Sequence, residues 1–304
     1  MNGVVAAMER PCPVCGSAAY TAFADHRTDE SKVNDFTYAS RKEPEFMCLR
    51  MVRCTGCDLV YAPSPPDATF LSDAYEHAAY DSTIEACCAA QSYIHALSPY
   101  LAGMQQKNTA IDVGAGSGPL LPLLKRAGFQ SVVGIEPSSA AIAAASSDVR
   151  PMLRQGMFTP QRVSDLRPDL ICSFMTLEHI LTPREFITTA FEELESGGMI
   201  AVVVHNWQGW LNRLLGLRSP IIDVEHVQLF NPKSLKLLLE SAGFQTLAVK
   251  SIVNAYPVSY WLRLMPLPSS LKKSVDRCLE KLSLSQAILP MRVGNIIAVG
   301  IKHE

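Results

Sequence analysis

From residue 108 onward, short apolar runs alternate with segments in which apolar positions recur every three to four residues. The runs TAIDVG (109–114), SVVGIEP (131–137), DLICSFM (169–175) and GMIAVVVH (198–205) have the length and β-branched content of strands, and the intervening segments have helical periodicity. Two further strand-like runs, FQTLAVKSI and NIIAVGIK, lie near the end of the sequence. Because strands that alternate with helices form parallel sheets through right-handed crossovers, the pattern predicts a doubly wound α/β domain.

The first hundred residues have a different organisation. The proline-rich cluster APSPPD (62–67) is typical of a boundary between domains. After it, 72–104 has a helical pattern that begins at Ser72 or Asp73 as the N-cap. The predicted units are a small domain over 1–70, a helical lid or connector over 71–106 and the α/β domain over 107–304, with a basic amphipathic insertion at about 255–290.

Charge is unevenly distributed along the chain. The formal net charge of −2 disfavours a protein that binds nucleic acid through bulk charge. Residues 250–304 nevertheless hold eight Lys/Arg against three Asp/Glu, and their amphipathic segment places Leu271, Val275 and Leu279 on one helical face. We expect this segment to be a cap packed on the sheet. The alternatives are a dimer face, a peripheral contact with a membrane surface, or a site for a lipid-linked or phosphorylated acceptor.

The sequence contains nine cysteines, whose number and spacing are relevant to the cellular compartment of the protein and to metal binding. No apolar run reaches the roughly 18 residues of a membrane helix, and Met1–Ala7 lacks the basic start of an export signal, so we expect a cytoplasmic protein with reduced thiols. The pattern C-x₂-C-x₃₈-C-x₂-C suits a tetrahedral structural zinc ion, with redox C-x-x-C pairs as the alternative. Cys48 is an alternative candidate for one of the four ligand positions. The predicted zinc ligands are Cys12, Cys15, Cys54 and Cys57.

A glycine-rich loop follows the first strand of the α/β domain. Its spacing, G-x-G-x-G after Asp112, is neither a dinucleotide fingerprint nor a phosphate loop. Glycines at a strand-to-helix turn allow a ligand to lie against the backbone. Glu136 ends the next strand, where a carboxylate can accept both hydroxyls of a ribose. The loop and Glu136 therefore predict a nucleoside-cofactor site; the structural alternative is a tight turn and a surface glutamate.

The runs IDVGAGSG, GIEP, DLICSFMTLEHI and SGGMIAVVV together resemble the class I S-adenosylmethionine-dependent methyltransferases over about residues 73–304. The resemblance implies a Rossmann-like, mostly parallel seven-stranded sheet with a reversed last hairpin. It implies that Asp112 lies close to the methionine part of the cofactor, that Glu136 holds the ribose, and that EHIL (178–181) faces the reactive methyl. The glycines that would pass under the cofactor are Gly114, Gly116 and Gly118.

The sequence departs from this family at the adenine position. Many members carry an acidic residue after the third strand, but here the stretch is QGMF (155–158). Adenine would then contact backbone N–H groups and the apolar side chains of Met157 and Phe158. Related enzymes also fold a helical lid over the cofactor, which makes Tyr75 and Tyr80 candidate lid residues. Aromatic residues at helical spacing are otherwise core residues.

Candidate acid–base groups follow two later strands. His179 lies just past the fourth strand, at the carboxyl edge where open α/β sheets bind ligands. The segment EHVQLF followed by SLKLLLESAGF is similar to the acceptor side of ubiquinone-type O-methyltransferases and deoxysugar C-methyltransferases. A Glu-His pair supplies acid–base groups in the latter family, which implies catalytic roles for Glu225 and His226. The structural alternative for each histidine is packing or capping.

The N-terminal segment with CTGCDLVYAPSP is similar to the zinc ribbon of bacterial methyltransferases from sugar and polysaccharide gene sets. We therefore expect a methyltransferase that acts on a hydroxyl of a sugar, glycan or other small polar metabolite, using S-adenosylmethionine and a structural zinc. One alternative is C-methylation of a keto-sugar nucleotide, although such enzymes usually have an additional C-terminal domain. Another is a non-catalytic cofactor-binding scaffold whose ribbon docks a partner. No nucleic-acid partner is expected, and the sequence leaves the oligomeric state open.

Overall fold

A computed structural model describes residues 9–29, 31, 33–34, 36–39 and 44–303. The expectation for Met1–Ala7 lies outside the described residues, as does part of the predicted domain over 1–70. None of the helices in the described residues has the length and apolarity needed to cross a membrane.

The chain alternates strands and helices from residue 109 onward. The strands are β1 (Tyr20–Ala24), β2 (Met51–Cys54), β3 (Val60–Tyr61), β4 (Thr109–Val113), β5 (Ser131–Glu136), β6 (Leu153–Gln155), β7 (Leu170–Phe174), β8 (Met199–His205), β9 (Gln228–Leu229), β10 (Gln245–Ser251), β11 (Asn254–Pro257), β12 (Ile288–Met291) and β13 (Asn295–Ile301). The α-helices are α1 (Ala68–His77), α2 (Thr83–Leu101), α3 (Leu121–Arg126), α4 (Ser139–Ala143), α5 (Pro160–Val163), α6 (Pro183–Glu193), α7 (Trp210–Leu215), α8 (Pro232–Ser241), α9 (Val258–Leu264) and α10 (Ser269–Lys281).

Seven strands form the main sheet, in the order β10-β13-β8-β7-β4-β5-β6. The pairs from β8 to β6 are parallel, and β13 runs antiparallel to both β8 and β10. The central strands are buried throughout, as expected for a sheet covered by helices on both faces. The predicted doubly wound, mostly parallel sheet with a reversed last hairpin is confirmed.

The N-terminal ribbon, which comprises the described residues between 9 and 62, shares its core with the main sheet. Its strands β1, β2 and β3 form a second sheet that is completed by β9 from the α/β domain. Val52 and Tyr61 are buried in the same apolar cluster as Ile111 and Leu235. The ribbon therefore packs as part of one body with the domain that carries the glycine loop.

Most of 72–104 is helical as predicted, but the predicted start at Ser72 or Asp73 is wrong and the helical stretch is divided into α1 and α2. Asp67, at the end of the proline cluster, accepts a hydrogen bond from the Phe70 backbone N–H and starts α1 before Ser72. Helix α1 ends at His77, and Ala78 is extended because its carbonyl accepts a hydrogen bond from the Ser138 hydroxyl. The break carries residues 78–82 across the glycine loop before α2 begins.

Residues 254–291, called the insert below, lie between the last two strands of the main sheet. They form the β11–β12 hairpin and helices α9 and α10. The expected cap packed on the sheet is not what α10 forms, because none of its side chains is buried and it packs against α9. The apolar face of α10 lies instead along a large cavity.

Candidate active site

Four cysteines of the ribbon form a compact cluster. Two knuckles bring the Sγ atoms of Cys12 and Cys57 within 3.5 Å, and those of Cys15 and Cys54 within 3.4 Å. All four sulfurs lie within 4.8 Å of one another, whereas Cys48 is outside the group. Zinc bound 2.3 Å from four tetrahedral sulfurs would separate them by about 3.8 Å, so the cluster fits a structural zinc ribbon.

The ribbon is bonded directly to the loops around the carboxyl edge of the sheet. The half-buried Arg10 guanidinium donates hydrogen bonds to the carbonyls of Ala62 at 2.9 Å, Leu181 at 2.7 Å and Val227 at 3.2 Å. Burial lowers the pKa of Arg10 to about 10, so it stays charged near neutral pH. One cation therefore joins the ribbon to the segment after β7 and to the segment that contains Glu225 and His226.

Hydrogen bonds also join those two segments to each other. The Glu178 carbonyl accepts the Val227 backbone N–H at 2.9 Å. The Gln228 side-chain amide donates to the carbonyls of Leu177 at 2.6 Å and Ile180 at 2.5 Å. Strand β9 pairs with β3 immediately afterwards. These contacts fix the position of the backbone on both sides of the predicted acid–base residues.

The glycine loop bends sharply after β4. Gly114 has a positive φ of 75°, and a side chain there would overlap Thr176, which follows β7. Gly118 has a φ of 73° and packs against Val149, where a Cβ would also overlap. Only glycine adopts a positive φ readily and also leaves room for these neighbouring side chains, because it has no Cβ. Gly114 lines the main cavity, whereas Asp112, Gly116 and Gly118 are not among its lining residues.

Glu136 ends β5 beside this loop with 7% of its surface exposed. Its two carboxylate oxygens accept the backbone N–H groups of Gly116 at 2.7 Å and Ser138 at 2.8 Å. Burial raises the pKa of Glu136, and these two hydrogen bonds partly oppose the rise. Each oxygen can accept a second hydrogen bond, so the carboxylate remains able to bind ribose hydroxyls. Loop and carboxylate together fit the nucleoside part of S-adenosylmethionine.

An apolar slot and a lid extend this end of the cavity. Gly156, Met157 and Phe158 line it after β6, in the position predicted for adenine. Tyr80, from the break between α1 and α2, hydrogen-bonds the Ser117 hydroxyl at 2.7 Å and lies beside Gly116. Tyr75 lies further along, where its hydroxyl donates to the Glu225 carbonyl at 3.2 Å. Tyr80 is thus next to the glycine loop and Tyr75 is next to the predicted acid–base residues.

Three histidines converge at the centre of the cavity. The ring of His226 lies 5.0 Å from that of His179 and 5.3 Å from that of His205. The Nδ1 atom of His226 is 2.9 Å from the Ile221 carbonyl, which makes it the donor in the neutral ring and leaves Nε2 as the acceptor. That Nε2 lies 3.9 Å from a Glu225 oxygen. The arrangement can accept a proton and stabilise the resulting imidazolium with a carboxylate.

Glu178 lies behind this cluster and is fully buried. One of its oxygens accepts the backbone N–H of His205 at 2.6 Å. Burial raises the pKa of Glu178 to about 8, and the backbone hydrogen bonds only partly oppose it. The side chain is therefore neutral through most of the physiological range.

The sequence places His179 on one segment and Glu225 and His226 on another, and the structure brings them to one cavity. The polar cavity residues that were not predicted include His205, Asn254 and Asn295. His205 was noted only as the end of a strand, although the carboxyl edge was a usable signal. The Asn254 amide is fully buried and has no hydrogen-bond partner among the described residues. Asn254 starts a hairpin, and no local sequence pattern indicates that an asparagine in this position lines a cavity.

A family model described as a methyltransferase domain matches residues 80–249, which is more than half of the chain. The chain therefore belongs to the methyltransferase domain family, and its fold is that of class I S-adenosylmethionine-dependent methyltransferases with an N-terminal Cys₄ module. No curated protein matches the sequence.

Several solved structures are similar to the chain at low identity. The YcgJ protein of Bacillus subtilis is 18% identical, with 69% of this chain and 99% of that chain covered and a TM-score of 0.46. A SAM-dependent methyltransferase from Archaeoglobus fulgidus is 17% identical, with 78% and 100% covered and a TM-score of 0.46. Another from Thermotoga maritima is 17% identical, with 73% and 92% covered and a TM-score of 0.45.

Proposed function

We propose that the protein transfers a methyl group from S-adenosylmethionine to a hydroxyl group on a sugar, glycan or other small polar metabolite. The observation that carries the proposal is the placement of His226 and Glu225 in the same cavity as Gly114 and Glu136. One cavity thus holds the residues suited to the cofactor and a base suited to a hydroxyl acceptor.

The proposed cofactor-binding residues contact different parts of S-adenosylmethionine. Bound S-adenosylmethionine supplies an electrophilic methyl group. The loop at Gly114 gives its methionine part close backbone contact, Glu136 accepts the ribose hydroxyls, and Met157 and Phe158 cover adenine. Tyr80 closes over the glycine loop. By holding the donor in one orientation, these residues contribute through positioning, which can supply roughly 7–11 kcal/mol of a reaction barrier.

His226 acts as the general base. Its Nδ1–H is committed to the Ile221 carbonyl, so Nε2 accepts the proton of the acceptor hydroxyl. Glu225, 3.9 Å away, stabilises the positive charge that then forms on the ring. His179 directs its Nδ1–H at the Glu225 carbonyl, 3.1 Å away, and shapes the acceptor side. Proton transfer of this kind contributes about 10²–10⁴-fold to rate.

The first experiment tests the cofactor site by calorimetry with S-adenosylhomocysteine. We expect measurable heat for the native protein and at least roughly tenfold weaker binding for Glu136→Ala, which loses the ribose contacts. Folded native protein that gives no heat overturns the proposal.

The second experiment supplies methyl-labelled S-adenosylmethionine with cell-extract fractions and follows label into polar molecules, lipids or macromolecules. His226→Gln should lower turnover by about 100-fold with S-adenosylhomocysteine affinity unchanged, whereas exposed His95→Gln should match the native rate. Turnover of His226→Gln within about tenfold of native rejects the general-base role. Cofactor binding without transfer to any fraction favours the scaffold alternative.

A further inference from the structure

The main cavity has room for more than one small molecule. Its volume is about 1260 Å³, against roughly 300–1,000 Å³ for a pocket that holds one. From the three histidines it continues away from the cofactor end, between α7 and the insert. We call this continuation the apolar arm.

Side chains of the insert make the apolar arm hydrophobic. Its lining residues share large apolar or aromatic side chains and come from α9, the segment after it, α10 and β12. They include Trp261, Leu264, Met265, Val275, Leu279 and Leu289. Among the described residues, Arg292 is the cation that lines the cavity, immediately after β12, and no lysine does. An apolar wall of this extent stabilises a hydrocarbon chain through burial of its surface.

Polar groups are concentrated at the inner end of the arm. Asn254 starts β11 with both side-chain polar atoms buried and no hydrogen-bond partner for them among the described residues. His205 lies nearby, with Nδ1 2.9 Å from Asn295 Oδ1. A buried amide without a partner costs free energy unless a ligand satisfies it. The cavity therefore changes from polar at the histidines to apolar toward α10.

The outer end of the arm reaches the protein surface among exposed apolar residues. Trp210 is 65% exposed, Met265 48% and Leu289 41%, and all three line the cavity. The outer face of α10 is basic, with exposed Lys273 and Arg277. A chain longer than the arm can thus leave the protein through an apolar rim.

From this geometry we infer that the acceptor is a lipid-type molecule, whose polar head lies at His226 and Asn254 and whose hydrocarbon chain occupies the apolar arm. The inference rests on the proposed methyl transfer and narrows its acceptor to a head group that carries a long apolar chain. A free sugar or nucleotide would leave the arm without a ligand.

Binding of cis-parinaric acid, a fluorescent long-chain fatty acid, tests the arm directly. Excitation of tryptophan should transfer energy to the bound probe. Because Trp210 and Trp261 both line the cavity, the double variant Trp210→Phe/Trp261→Phe should remove most of the transfer, whereas Trp207→Phe, on the ribbon side, should not. Octanol, dodecanol and hexadecanol should displace the probe with affinity that rises about fourfold per added methylene until the arm is full.

A matched pair of substitutions on α10 locates the chain. Leu279→Glu places a carboxylate in the arm and should weaken probe binding at least tenfold. Leu282→Glu, at the C-cap of the same helix, 62% exposed and outside the cavity lining, should change it less than twofold. Neither change should alter the heat of S-adenosylhomocysteine binding, because neither residue is part of the glycine loop or contacts Glu136.

The outcomes separate this inference from the proposed function. Cofactor heat without probe binding overturns the lipid-type acceptor and leaves the methyltransferase proposal in place. Probe binding without cofactor heat overturns the proposed function. Equal effects of Leu279→Glu and Leu282→Glu also overturn the inference, because the chain then lies outside the arm.

Discussion

The ribbon and helix α10 of the insert border the same cavity but differ in how they are held. The ribbon is joined to the α/β domain by the β3–β9 pair, by Arg10 and by a shared apolar core. The base of the insert is also anchored, since the Ala255 backbone N–H donates to Ser92 Oγ at 3.1 Å and Tyr256 is buried in the core. Helix α10 itself packs against α9 and has no buried side chain. The contrast is therefore between a well-anchored ribbon and an incompletely buried α10.

The difference indicates a division of roles around the reacting centre. General-base chemistry needs the His226 ring within hydrogen-bond reach of its target, and the ribbon-side contacts fix the backbone that carries it. A hydrocarbon chain needs burial but little directional precision, which weakly packed apolar helices provide. If both proposals hold, the well-anchored backbone lies where a proton would move, and the less buried helix α10 lies where a hydrocarbon chain would bind.

The largest effect should come from disrupting the four-cysteine cluster, the proposed zinc site. Cys57→Ser should lower the free energy of unfolding by at least about 3 kcal/mol, because metal binding to such a cluster is folding free energy. Denaturant titration with zinc quantification measures it. In the insert, exposed Cys278→Ser should change stability by less than about 0.5 kcal/mol. Similar losses in both variants would mean that the cluster does not anchor the ribbon.

Removal of Arg10 should have the next largest effect. Arg10→Met keeps most of the apolar stem but leaves the carbonyls of Leu181 and Val227 without their donor, so we expect a loss of about 1.5–3 kcal/mol in the free energy of unfolding. Turnover should also fall, with S-adenosylhomocysteine affinity unchanged, since Arg10 acts on the position of His226. The control is Arg50→Met, whose ion pair with Glu9 is exposed. A native rate in Arg10→Met would contradict the positioning role.

The last comparison concerns pH. Burial raises the pKa of Glu178 from 4.5 for the free side chain to about 8 in the folded protein, so the folded state binds more protons between these values. The free energy of unfolding should therefore fall as pH rises from 5 to 8. Glu178→Gln should flatten this dependence, whereas exposed Glu280→Gln on α10 should leave it unchanged. Thermal unfolding of both variants and of the native protein across this pH range measures the difference.

Much of the fold could be predicted because its signals are local. Alternating apolar runs specify the parallel sheet, and the fixed spacing of Cys12, Cys15, Cys54 and Cys57 specifies a four-sulfur cluster. The glycine loop and Glu136 are similarly recognisable, since each comes at a strand end where the topology places a ligand. The predicted start of the helix over 72–104 is wrong because Asp67 looked like part of a linker, while in the structure it is an N-cap.

The remainder depends on contacts between distant segments. No local pattern shows that Arg10 bonds to Val227, or that Asn254 lies in a cavity with His226. The amphipathic pattern of α10 correctly identifies an apolar face, but a face alone does not say what covers it. The cavity arm formed by α9, α10 and β12 is visible only once all three are placed together.

The pairing of β3 with β9 also constrains how the polypeptide reaches its native state. Arg10 and Val227 are 217 positions apart, so during synthesis the early cysteine-containing segment emerges long before its partner strand. Metal capture can precede that docking, and closing so long a loop is slow compared with local helix formation. The site around His226 is therefore completed late, when the segment that contains Arg10 meets the segment that contains Val227.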